Sequence, residues 1–132
     1  MGQQQLLLIV LGVIIVGIAI VVGINLFNAN AVSSNRDAVI ADLNNLAAFA
    51  HQYYIRPSAM GGGGNQFTGF TLPTGFSSNA NGTYTIKTAG SATSIQFEGV
   101  GTAKVNSSDN VTVDMTVYAP NSGATDSVVV VH

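Results

Sequence analysis

Few side chains in this chain could hold a metal ion or move a proton. His51 and His132 are its only histidines, and Asp37 and Asp42 are its only acids before Glu98. A metal centre or an acid–base pair needs several such groups converging, and no spacing here brings them together. Arg36 beside Asp37, with Asp42 on the same stretch, reads as ion pairs that are solvated or made between copies of the chain. His51 reads as an exposed helix residue or a hydrogen-bond partner across such a contact. Gly99-Val100-Gly101 followed by Lys104 has two glycines of a phosphate loop, but neither the remaining glycine nor the helix that must follow, so a strand turn is expected there. Asn81-Gly82-Thr83, Asn106-Ser107-Ser108 and Asn110-Val111-Thr112 fit the N-glycosylation acceptor pattern, which a chain this rich in Asn, Ser and Thr meets by chance. With no cysteine there is neither a disulfide nor a thiolate site. No catalytic, metal-binding or cofactor-binding residue is expected, and an enzyme is a distant reading.

Charge narrows the partners. Charged residues make up 8% of the chain, hydrophobic ones 47%, and the net charge is -2. The four basic residues, Arg36, Arg56, Lys87 and Lys104, are scattered, whereas neutralising a phosphate backbone needs Lys and Arg in clusters. No nucleic-acid contact is supported.

The elements that must position these residues fall into three parts. Leu6 to Ile24 is an uncharged apolar run of nineteen residues. As a helix it spans about 28 Å, close to the hydrocarbon core of a bilayer. No Lys or Arg precedes it and no small-residue cleavage pattern follows, as a secretory signal would require. Asn25 to Val32 holds neither Pro nor Gly, so the helix is expected to continue. Beyond it Val39, Leu43, Leu46, Ala50 and Tyr53 recur at helical spacing, with Ile40, Ala47 and Tyr54 flanking the stripe and Phe49 at its edge. Asp37, Asn44, Asn45, Ala48, His51 and Gln52 fall opposite, and Arg56-Pro57 ends the pattern. A helix from about Gln3 to Ile55 is roughly 80 Å long and cannot be buried in one small globule.

After Pro57 the composition turns to Gly, Ser, Thr and Asn. Gly61 to Gly64 reads as a flexible connection and Leu72-Pro73-Thr74-Gly75 as a turn. Thr83–Lys87, Ser94–Glu98, Asn110–Ala119 and Ser127–Val131 have strand character, most plainly in the alternation of Val111, Val113, Met115 and Val117. Short spacings favour an antiparallel meander whose dry face needs an apolar partner, and the stripe at Val39 to Tyr53 supplies it. The expected class is α+β: a protruding N-terminal helix whose second half packs on a small antiparallel sheet. The division is 1–27 for the apolar half, 28–55 for the amphipathic half and 56–132 for the loop and β head.

This arrangement, carried in sequence mainly by Met1 to Tyr54, resembles type IV pilins and their pseudopilin relatives. The resemblance implies a structural subunit of an extracellular filament, a helical homo-oligomer held in the cytoplasmic membrane before assembly. It also implies a prepilin peptidase and a pilus assembly machinery as partners. Met1 is then expected as the mature first residue, with cleavage before Gln3 as the alternative. Family members mostly carry glutamate at the fifth mature position, where Gln5 stands, and often a proline in the apolar half, where there is none. A neutral amide avoids desolvating a carboxylate but loses charge-assisted pairing with a neighbour's amine. Gly12, Gly17 and Gly23, with Ala19, are candidate helix-contact points, and Val16 and Ile20 lie in the same assembly segment. The other readings are a monomeric membrane-anchored β-domain binding module and a minor pseudopilin of a secretion system. An archaeal pilin is a further rival, disfavoured by the amphipathic stretch from Arg36 to Tyr54. Adhesion, motility, DNA uptake and electron transfer are not distinguished.

Overall fold

The computed structural model describes residues 2–132. One α-helix, α1 (Gly2–Ile55), occupies the first part of the chain. At 54 residues it is about 80 Å long. Leu6 to Ile24 is rich in Val and Ile, which are modest helix formers in water. In an apolar surrounding the backbone must satisfy its own hydrogen bonds, and there the helix is the available solution. No proline interrupts it, and no loop separates Asn25 from Arg36.

The helix ends at Ile55 because Pro57 follows, at φ -58° and ψ 145°. A single 3-10 turn, Ser58–Met60, comes next. The glycine run then differs from the expected flexible connection: it folds back to cap the helix. The amides of Gly63, Gly64 and Asn65 donate to the carbonyls of Tyr53, Arg56 and Tyr54 at 2.8, 3.0 and 2.8 Å. These are helix-end acceptors that would otherwise lack a partner. Gly64 and Asn65 both take positive φ, and a Cβ on Gly63 would collide with the Gln66 carbonyl oxygen. The run is rich in glycine because the cap is tight.

The head is an antiparallel meander of β1 (Gly82–Thr88), β2 (Ser94–Lys104), β3 (Asn110–Tyr118) and β4 (Ser127–Val130), in that spatial order. The second half of α1 crosses β2 and β3, and the core lies between them. Val39, Leu43, Leu46, Ala47, Ala50 and Tyr54 from the helix meet Tyr84, Ile95, Phe97, Val111, Val113, Met115 and Val117 from the sheet. The α+β class and the packing of helix on sheet are as expected. Tyr53 packs against this core while half-buried, and the flanking Tyr54 is the more deeply buried of the two. Tyr53 turns to the loop, its hydroxyl donating to the Thr68 carbonyl at 2.7 Å and its ring set edge-on to Phe70 at 5.4 Å.

Two further differences concern glycine and proline. Gly99-Val100-Gly101 is not a turn. It lies inside β2, which runs six residues beyond the expected end at Glu98. A Cβ on Gly99 would stand 2.7 Å from Val39 Cγ1, and one on Gly101 would strike Asn35 Oδ1. These glycines let the helix approach the strand closely. At Pro73 to Phe76 a turn does form, closed by the Phe76 amide on the Pro73 carbonyl at 3.0 Å, with Gly75 at φ 85°. Proline stands first in that turn, not second.

Candidate assembly surface and the neck of the head

From Leu6 to Phe27 every large apolar side chain of α1 is 53–74% exposed. There are seventeen of them. Leaving so much apolar area in water would cost on the order of 20 kcal/mol, more than a typical domain's whole stability of roughly 5–15 kcal/mol. Water is not the solvent this half is made for. By length and composition α1 is able to cross a membrane.

At about 100° per residue, Gln5, Gly12, Val16, Ala19 and Gly23 fall within one narrow stripe of this half. Ile20 stands beside the stripe. Gly17 is roughly 140° from Gly12 by the same rotation, so the three glycines do not form a single contact face. A Cβ at Gly12, Gly17 or Gly23 would meet nothing within 4 Å inside the chain. Met1 lies outside the described residues.

The chemistry-bearing residues of the head are engaged in holding it together. Among the described residues Asp42 makes no ion pair within the chain. Its Oδ2 accepts from Tyr84 Oη, Asn79 Nδ2 and Asn81 Nδ2 at 2.5, 2.9 and 3.0 Å. Burial pushes the Asp42 carboxyl up, but these three hydrogen bonds outweigh it and hold the group below the usual carboxylate range. Burial and the neighbouring Asp42 push the Tyr84 phenol up. His51 has a partner within the chain: its Nε2 lies 2.9 Å from Asp126 Oδ2, and its ring stands edge-on to Phe67. Asp126 also accepts from the Tyr118 amide at 2.8 Å, so the loop before β4 is tied both to the end of β3 and, through His51, to the helix.

On the outer sheet face Glu98 and Asp114 are direct cross-strand partners, a like-charge pairing that is unfavourable alone. Lys87 bridges them, 2.5 Å from Asp114 and 3.3 Å from Glu98. The Asp114 hydrogen bond, aided by Glu98, holds the Lys87 ammonium above its ordinary range. Asp114 is only 8% exposed, so this face is less wet than the alternation in β3 suggests.

Four aromatic and apolar residues of the Gly-rich segment, Phe67, Phe70, Leu72 and Phe76, complete the core or pack against it. Phe67 is fully buried, with its ring 5.0 Å from that of Tyr54. Neither the helical stripe nor the strand alternation assigns them to the core. The signal was present: large apolar residues spaced through a glycine-rich stretch need burial as much as those in strands.

Among the described residues no three His, Cys, Asp or Glu side chains gather where a metal ion could sit. Among the described residues Arg36, Asp37, Arg56 and Lys104 have no salt-bridge partner. Arg36 and Lys104 share a groove where α1 enters the head. A second exposed apolar surface is the edge strand β4, whose valines at 128, 129 and 130 are 40–57% exposed. No family model matches this chain, and no curated protein or solved structure matches it either.

Proposed function

We propose that this protein is the structural subunit of a type IV pilus-like filament, polymerising through the apolar half of α1. The observation that carries the reading is the unbroken passage of one helix from an exposed apolar half into the core of the head. A tethered binding module needs a linker so that its domain can search, and a rigid helix denies it one. Three glycines in the apolar half cost about 1 kcal/mol each in helix propensity relative to Ala, and nothing inside the chain uses the space they leave. Close approach of neighbouring helices would use it.

In this reading the subunit waits in the cytoplasmic membrane and is then moved into the core of an extracellular polymer. Lipid tails are as apolar as the helix, so the transfer is driven by helix packing and a few polar contacts, among them those of Gln3, Gln4 and Gln5. The interface is heterologous and does not close, which is what makes a fibre. The decisive experiment is electron microscopy of material sheared from the cell surface, with the protein identified in the fibres by mass spectrometry. Absence of this chain from any fibre, with the protein abundant in the membrane, would favour the anchored-module reading.

A further inference from the structure

Where α1 leaves the apolar run and enters the head, two adjoining grooves of about 390 and 480 Å³ separate the helix from the turn between β2 and β3. Asn25, Asn28, Val32 and Arg36 line the helix side, and Lys104 and Ser107 the turn side. Neither groove is lined by an acidic residue. Two of the chain's four basic residues therefore line one groove, with no acidic residue among its described lining. The Arg36 Nε is buried and has no hydrogen-bond partner, a donor left without an acceptor.

The placement of Lys104 is built. The Asn35 side chain donates to the Asn81 carbonyl at 2.8 Å and accepts from the Ala103 amide at 3.1 Å, pinning the end of β2 to the helix. That clasp fixes the residue before Lys104 and directs the turn toward the apolar half.

The level of the groove is set by helix geometry. A bilayer has about 5–8 Å of headgroup layer beyond each face of its hydrocarbon core. With Leu6 to Ile24 in the hydrocarbon, Asn25 to Asn28 rise about 1.5–6 Å above it, inside that layer. Lys104 shares the groove with both asparagines. Long basic side chains reach down to such a level while their stems lie on apolar surface.

We infer that this neck groove binds the phosphate of an anionic lipid headgroup while the subunit is held in the bilayer, with Lys104 as its cationic donor, Asn28 and Ser107 as polar neighbours, and Arg36, whose backbone stands about 18 Å above the hydrocarbon by the same rise, adding its charge from the upper end of the groove. The inference rests on the membrane-spanning part of the proposed function and not on polymerisation, so a chain that forms no filaments would leave it standing. Extraction of the lipid on entry into a filament would free Lys104 for another contact.

The test uses the full chain in detergent micelles, with lipid adducts counted by native mass spectrometry. Phosphatidylglycerol should be retained in preference to phosphatidylcholine, and Lys104→Gln should reduce that retention roughly fivefold. Lys104 is exposed, so the variant should keep its fold, which the circular dichroism melt checks. Arg36→Gln combined with Lys104→Gln should abolish the preference. In parallel, inorganic phosphate is titrated while the amide signals of Asn28 and Ser107 are followed by NMR. Shifts with phosphate as large as those with phosphatidylglycerol would assign the groove to a free anion and overturn the lipid source. Equal retention of the two lipids, or retention unchanged in both variants, would overturn the proposal. So would a Lys104→Gln variant that loses self-association but keeps its lipid, because the groove would then serve a carboxylate of a second copy.

Discussion

At Asp42 one carboxylate oxygen accepts from two asparagines and a tyrosine, a charged anchor of the Asn79–Asn81 loop on the helix face beside the neutral one from Asn35. Replacing Asp42 by Ala should lower the stability of the head by about 1–2 kcal/mol, read as a fall in the melting temperature of the full chain in detergent. The pH dependence has a definite sign. Because the carboxyl lies below its unfolded value, its contribution is complete above about pH 4 and is lost as pH falls through the folded-state value. The melting difference between the wild type and Asp42→Asn should thus be constant from neutral pH down to about pH 5 and shrink below about pH 4. A difference that grows on acidification would contradict the assignment. None of this could be read from the sequence, which shows only an acid near an arginine. The partners of Asp42 lie 37 to 42 residues away and are brought to it by the return of the sheet over the helix.

The helix and β3 were legible because their patterns are local: a stripe at helical spacing, and apolar residues at alternate positions. Leu43 and Leu46 are fully buried at the centre of the contact between them. Leu43→Asp or Leu46→Asp should unfold the head, since an unpaired buried charge costs several kcal/mol. Loss of the near-ultraviolet circular dichroism of the buried tyrosines would report it, with far-ultraviolet helix signal from the apolar half persisting. The length of β2 was not legible, because Gly99 and Gly101 look like a turn when only the strand is considered. They are required by helix residues sixty and sixty-six positions away, Val39 and Asn35. Gly101→Ala should cost about 1–3 kcal/mol through collision with Asn35. Adding Asn35→Ala should remove most of that penalty, a coupling that a double-mutant cycle measures. Additive effects would mean that Gly101 is there for another reason. The glycine-rich cap escaped for the same cause: composition announces flexibility, while the hydrogen bonds that remove it come from the helix end.

Across the whole molecule, charge is confined to the head, and α1 carries no side-chain charge before Arg36. Val16→Lys or Ile20→Lys should abolish filaments by placing an unpartnered cation in an apolar core. The head should keep its fold, checked by an unchanged near-ultraviolet spectrum in detergent. Filaments that form equally well with both substitutions would remove this helix from the core of the polymer. Gln5→Glu asks a narrower question. Assembly should be retained if the N-terminal amine of a neighbour lies near position five, and impaired if it does not, as seen by fibre counts in sheared fractions. The continuity of α1 also has a mechanical meaning. With no hinge between head and shaft, tension applied to a head would pass along the helix backbone into the core of the proposed filament without being dissipated by rotation. The weakest stretch along that line is Gly12 to Gly23, where three glycines lower the helix propensity. Drawn from helical to extended backbone, those residues would lengthen by about 20 Å per subunit. A fibre built this way would yield by reversible elongation before it broke.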